Sequence, residues 1–180
     1  MASLDGMESF TSHAREQGHE PATKILHFER VACSSLPSEV RLWLGFAEGV
    51  IEPVIYLERL RLADGIPMIL EYRWVRETLA LGLEKEDVQE SFYRVLEEKF
   101  GVRMTGEKHS ISAVIMDETA SRFFEAFKPT AALQVEGTGF VKGETPLWYQ
   151  RLLSRGGRYQ LNNQSNGISA SAVERNPEGS

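Results

Sequence analysis

VIYLERLRLADGIPMILEYRWV, residues 54–75, is the stretch on which the reading of this chain turns. Two runs rich in β-branched and aromatic residues flank Asp64-Gly65, a dipeptide that supplies the left-handed backbone of a tight hairpin turn. The pattern predicts antiparallel strands over 54–63 and 66–75. Side chains alternate across a strand, so Arg59 and Arg61 share one face. The place of Glu71 depends on the turn. A strict two-residue turn sets Arg61 opposite Met68 and Glu58 opposite Glu71, which points Glu71 away from the arginines. A three-residue loop, Ala63-Asp64-Gly65, sets Arg61 opposite Pro67 and Arg59 opposite Ile69, and brings Glu71 to the arginine face. Asp followed by Gly suits a type I turn with a glycine bulge, so the three-residue form is expected.

Working outward, residues 10–17 read as a short helix, with Ser9 or Thr11 as its cap and Gly18 as its stop. Pro21 prevents continuation. Residues 23–33 read as a strand. A helix follows from Ser35, with Pro37 in its first turn, and ends by Gly45. Residues 86–100 carry an apolar stripe of Val88, Phe92, Val95 and Leu96, closed by Gly101, and give the clearest helix signal. A strand is expected over 102–116. Asp117 caps a helix running to about Phe127, and Pro129 blocks its extension. Strands over 131–140 and 147–153 flank the turn Lys142-Gly143-Glu144, and a last short strand is expected at 159–161. Hairpins outnumber strand–helix–strand units. The fold class is therefore α+β, a mostly antiparallel sheet flanked by helices. Residues 1–20 form an N-terminal linker segment with a short helix, 21–163 the folded domain, and 164–180 a polar tail expected to be disordered.

Composition narrows the function classes. The chain has 180 residues, 42% hydrophobic and 26% charged, enough for one domain with a core. Twenty Lys and Arg against 26 Asp and Glu give a net charge of −6. No basic cluster is present to neutralise nucleic-acid phosphates, so any DNA contact is expected from a separate domain. A single cysteine, Cys33, allows no internal disulfide and suits a reducing cytoplasm. No apolar run is long enough to cross a bilayer, and no signal peptide is evident. His13, His19, His27 and His109 lack metal-ligand spacing, and no cofactor or metal is expected. Glu84, Glu86, Asp87, Glu97 and Glu98 read as solvated helix charges.

Four stretches, in this order and spacing, resemble the UTRA domain, the effector-binding module of the HutC subfamily of GntR-family bacterial regulators. They are Ser9-Phe10-Thr11 with Ala14-Arg15-Glu16-Gln17-Gly18; Arg59-Leu60-Arg61-Leu62-Ala63-Asp64-Gly65-Ile66-Pro67 with Glu71; Ser91-Phe92-Tyr93 with Leu96 and Gly101; and Arg155-Gly156-Gly157-Arg158-Tyr159. The resemblance implies a chorismate lyase-like fold and a ligand-sensing domain over 21–163. It implies a homodimer, and DNA binding through a separate N-terminal winged-helix domain.

Two guanidiniums on one strand face repel unless an anion lies between them, and phosphate or carboxylate accepts paired Arg hydrogen bonds. Residue pattern alone also allows a solvated face paired with Glu58 or Glu71. The resemblance favours an anion-holding role for Arg59 and Arg61, with Glu71 as a ligand acceptor. Ser91 and Tyr93 lie near a helix start, where free N–H groups favour anions. They also read as a solvating hydroxyl and a core aromatic, and the resemblance favours ligand contact. Phe10 and Thr11 fall where related sensors close the pocket and relay its state.

The chain departs from amino-sugar-phosphate sensors at Trp148, where they carry an acidic residue, and at Ser154, where they carry tyrosine. Trp148 would offer a flat apolar surface to an aromatic effector that still bears an acidic group. No catalytic residue is assigned and the chain is not read as an enzyme. Two alternatives stand beside the sensor. One is a chorismate lyase-like enzyme, which would need a glutamate where Trp148 and Gln150 lie. The other is a stand-alone ligand-binding or interaction module.

Overall fold

At the Asp64-Gly65 turn both residues are left-handed, with φ of 51° and 78°. Ala63 lies opposite Ile66, so this is a two-residue turn and not the expected three-residue loop. The bulge is present but one step further on. Leu62 opposes Pro67, whereas Arg61 opposes Ile69, which leaves Met68 as the extra residue. A bulge beside proline is where a sheet tolerates a missing N–H. The extra residue shifts the side-chain alternation by one. Arg59 lies directly opposite Glu71, not Ile69, and Glu71 still reaches the arginine face.

A computed structural model describes residues 10–89, 91–155, 160–164 and 167–171 of the chain. Six strands, β1 (Pro21–Ala32), β2 (Pro53–Ala63), β3 (Ile66–Arg76), β4 (Gly106–Met116), β5 (Thr130–Val141) and β6 (Thr145–Arg155), form one sheet in the order β1-β2-β3-β6-β5-β4. Every pairing is antiparallel. With helices α1 (Phe10–Glu16), α2 (Ser38–Trp43), α3 (Phe92–Phe100) and α4 (Glu118–Arg122), this is the expected α+β architecture.

The sheet has two covered faces. On one, Leu57, Val75 and Trp148 pack against Leu83, Val88, Phe92 and Leu96 from the segment ending in α3. Phe10 of α1 packs on the same face, against Ile69 and Leu152. On the other, Leu60, Leu70 and Leu153 meet Ala120 and Phe124 around α4, and Val54 and Tyr149 meet Val40 and Leu44 around α2. Cys33 is fully buried in that last cluster, where its thiol donates to the Val50 carbonyl at 3.0 Å.

Three helices are shorter than their patterns suggest, and the one expected from Ser35 starts at Ser38, with Pro37 as its N-cap. The stripe at Val88, Phe92 and Leu96 is buried as expected, but the helix is broken. Lys85–Gln89 is a 3-10 turn, and Ser91 takes an extended backbone and caps α3 by accepting from Arg94 N at 3.4 Å. The cap fixes the break, because a capping residue leaves helical dihedrals. Asp117 caps α4 as expected, accepting from Ala120 N at 2.8 Å. That helix ends at Arg122, and the left-handed Glu125 turns the chain before Phe127.

The tail reading also needs correction. β7 (Gln160–Gln164) and β8 (Gly167–Ser171) pair as a separate antiparallel hairpin, part of it inside the stretch expected to be disordered. Main-chain pairing does not require a hydrophobic sequence, which is why composition missed it. Residues 172–180, Ser9 and the Gly156–Tyr159 part of the terminal motif lie outside the described residues.

Candidate functional site

Successive strands bring one row of side chains together on the face covered by α1 and α3. Arg59 and Arg61 of β2 stand beside Glu71 of β3, and Arg73 follows Glu71 at the next position on that face. Gln150 of β6 lies opposite Arg73. Arg59 is 1% exposed and Arg61 7%, so neither is splayed into solvent.

Arg59 grips Glu71 in fork geometry. Its Nη2 donates to Oε1 at 2.7 Å and to Oε2 at 2.8 Å, and its Nε donates to Oε2 at 3.2 Å. Its Nη1 donates to the Val88 carbonyl at 2.8 Å, tying the segment before α3 to the sheet. Arg73 Nε comes within 2.8 Å of Glu71 Oε1 without the alignment of a hydrogen bond, and its Nη2 donates to Gln150 Oε1. Arg61 Nη1 lies 3.8 Å from Glu71 Oε2. Three guanidiniums therefore share one carboxylate.

Electrostatics follow from that count. Burial pushes the Glu71 carboxyl up, but Arg59, Arg73 and Arg61 outweigh it and hold the group down at about 2. Burial and the neighbouring Arg59 pull Arg61 down, against the pull of Glu71. Burying a charge is tolerated when it is paired, and here the positive charges outnumber their partner. The buried Arg61 Nε and Arg73 Nη1 make no hydrogen bond.

Of the predicted residues, Arg59, Arg61 and Glu71 meet directly. Thr11 joins them, its Oγ1 accepting from Arg61 Nη2 at 2.7 Å. Phe10 lays its ring 5.3 Å from the Arg61 guanidinium carbon. Tyr93 reaches the other end, its ring centroid 5.6 Å from Arg73 Cζ. Its hydroxyl is buried, and that burial pushes it well above the usual tyrosine range. Ser91 instead serves α3 as its cap.

Two residues were misjudged or missed. Trp148 was expected to present its ring to an aromatic effector. It is fully buried, and Arg73 covers the ring with its guanidinium carbon 4.7 Å from the centroid. Arg73 itself was not singled out, although it stands two residues from Glu71, the spacing that linked Arg59 to Arg61. Gln150, where lyase chemistry would place a glutamate, is occupied with Arg73. Ser154 donates to the Leu133 carbonyl at 3.3 Å. His19, His27 and His109 each pair with a single carboxylate, of Asp64, Glu29 and Glu107 respectively. Among the described residues no group of three or more His, Cys, Asp or Glu could hold a metal ion.

Residues 16–160 match the UTRA domain. The chain belongs to the UTRA domain family. As a UTRA domain it is 22% identical to the HTH-type transcriptional repressor NagR of Bacillus subtilis over 156 residues, 87% of this chain and 62% of NagR. It is 26% identical over 97 residues to the HTH-type transcriptional regulator GmuR of the same organism, 54% of this chain and 41% of GmuR. The chain thus spans less than two thirds of either relative. Its fold matches the effector domain of PhnF from Mycobacterium smegmatis, with a TM-score of 0.70 at 21% identity over 85% of this chain and 91% of that one. It also matches a GntR-family regulator from Enterococcus faecalis, with a TM-score of 0.71 at 23% identity over 79% of this chain and 99% of the other.

Proposed function

We propose that this UTRA domain senses a small anionic metabolite, carrying phosphate or carboxylate, for a HutC-type GntR regulator whose DNA-binding domain is separate. The single observation behind the reading is the sharing of one buried carboxylate by three buried guanidiniums, with Arg61 also tied to Thr11. An anion arriving at Arg61 would balance the excess charge and satisfy Arg61 Nε. It would also compete with Thr11 for the guanidinium. Thr11 and Phe10 belong to α1, so the competition acts on the segment leading towards the N-terminus. Coupling of this kind needs an anion that binds the two arrangements of α1 with different affinity.

We extend the reading to a cytoplasmic homodimer on the strength of the resemblance and the single cysteine, with sensing and not catalysis as its role. Its DNA contacts come from a separate HTH-type domain of the kind named in NagR and GmuR. Thermal denaturation tests the anion site. Phosphate or sulfate, compared with chloride at equal ionic strength, is expected to raise the Tm of the wild type. An anion at a hundred times its Kd adds about 2.7 kcal/mol, or roughly 5–10 °C for a domain of this size. Arg61→Gln is expected to abolish the rise. Equal midpoints in all three salts would count against the reading.

A further inference from the structure

Arg73 stands on the far side of Glu71 from Arg61. The two contact opposite oxygens of one carboxylate, Arg73 Nε at 2.8 Å from Oε1 and Arg61 Nη1 at 3.8 Å from Oε2. Building on the anion-sensor reading above, we propose that Arg73 forms a second anionic subsite, and that the effector is a small molecule with two acidic groups, one held by Arg61 and the other by Arg73.

The hydrogen-bond inventory carries this. The buried side-chain nitrogens without a hydrogen bond around the cluster are Arg61 Nε, Arg73 Nε, Arg73 Nη1 and Trp148 Nε1. Guanidinium and indole N–H groups can only donate. What completes the cluster must bring acceptors, and must bring them to both sides of Glu71. A ligand whose acceptors all lie on one acidic group would satisfy Arg61, leave Arg73 Nη1 without a partner, and balance only one of the two positive charges that Glu71 leaves in excess.

The surroundings of Arg73 fix how it can be reached. Its guanidinium carbon lies 4.3 Å from the Phe92 ring centroid, 4.7 Å from that of Trp148 and 5.6 Å from that of Tyr93. Guanidiniums stack on aromatic faces and hydrogen-bond in their own plane. The three rings crowd the guanidinium carbon, Gln150 takes Nη2 and Glu71 attracts Nε. The in-plane edge at Nη1 is left for an acceptor. Sequence upholds the arrangement: Gly139 lies opposite Trp148, and a Cβ there would fall 2.3 Å from the indole Cε2. Only glycine lets the indole lie where it backs Arg73.

Titration calorimetry separates a ligand contact from mere packing glue. The probes are succinate, glutarate and adipate, each compared with butyrate, valerate or hexanoate of matching length, and inorganic phosphate alone. Wild-type protein is expected to bind at least one dicarboxylate about tenfold or more tightly than its matched monocarboxylate. Arg73→Gln is expected to reduce that preference to near unity while monocarboxylate affinity is kept. Arg73→Lys, which keeps charge but loses the fork, is expected to retain part of the preference, and it carries the comparison if Arg73→Gln does not fold. Equal wild-type affinities for diacid and monoacid, or a preference unchanged in the variants, would overturn the second subsite. If phosphate still binds through Arg61 in that case, the sensor reading survives; if neither phosphate nor any carboxylate binds, both fall.

Discussion

Glu71 is the residue on which the charge balance of the face depends. Its folded pKa of about 2 lies below its ordinary 4.5. A depressed carboxyl contributes stability that is fully present above about pH 4.5 and is lost as the pH falls through about 2. The contribution is on the order of 3 kcal/mol. Glu71→Gln keeps the shape but leaves three buried guanidiniums unpaired, and is expected to cost about 3–5 kcal/mol at neutral pH. Urea denaturation followed from pH 7 to pH 2 checks both points, since the variant should also lose the steep acid limb between pH 4.5 and 2. An acid limb identical to that of the wild type would mean that Glu71 is not the titrating group. Much of this residue-level picture was legible in the sequence. The spacing of Arg59 and Arg61 placed them on one face, and the family signature pointed to Glu71, Phe10 and Thr11. Arg73 was equally legible, since alternation puts it on the face of Glu71 two residues earlier; what the sequence did not mark is its stacking among Phe92, Tyr93 and Trp148, which arises only from distant strands and α3.

At the scale of elements, the hairpin turn and the β5–β6 pair set the geometry. The turn needs left-handed backbone at both Asp64 and Gly65. Gly65→Ala is expected to lower stability by about 1 kcal/mol, because an L-residue resists that conformation. Asp64 also accepts from Glu20 N at 2.7 Å and contacts His19 Nδ1 at 2.6 Å, so the turn holds the link between α1 and β1. Gly139→Ala is the sharper test. The added methyl would meet both the Trp148 indole and Met104 Cε, at 2.3 and 2.4 Å. Overpacking of this kind costs about 1–3 kcal/mol, read as a lower urea midpoint with a changed tryptophan emission. An unperturbed midpoint and spectrum would show that the indole yields easily. The hairpin, the cap at Asp117 and the antiparallel order were readable from local chemistry. The break before α3 and the early end of α4 were not, because one hydrophobic period runs through helical and non-helical turns alike. Nothing local marked Gly139 either, since its need arises only from the strand opposite.

Across the whole molecule, the buried cationic face of the sheet meets the N-terminal helix α1. Arg61 is the link, held by Thr11 at 2.7 Å and covered by Phe10. Hydrogen exchange should register the link: saturating phosphate is expected to change amide protection in α1 in the wild type and not in Arg61→Gln. Unchanged protection would separate ligand binding from any relay. The most direct measurement is a crystal structure of the chain grown with phosphate or adipate. The account predicts anion density within hydrogen-bond distance of Arg61 Nε, and for adipate a second carboxylate at Arg73 Nη1. Arg61 still bound to Thr11, with Glu71 as the cluster's only anion under saturating ligand, would contradict it.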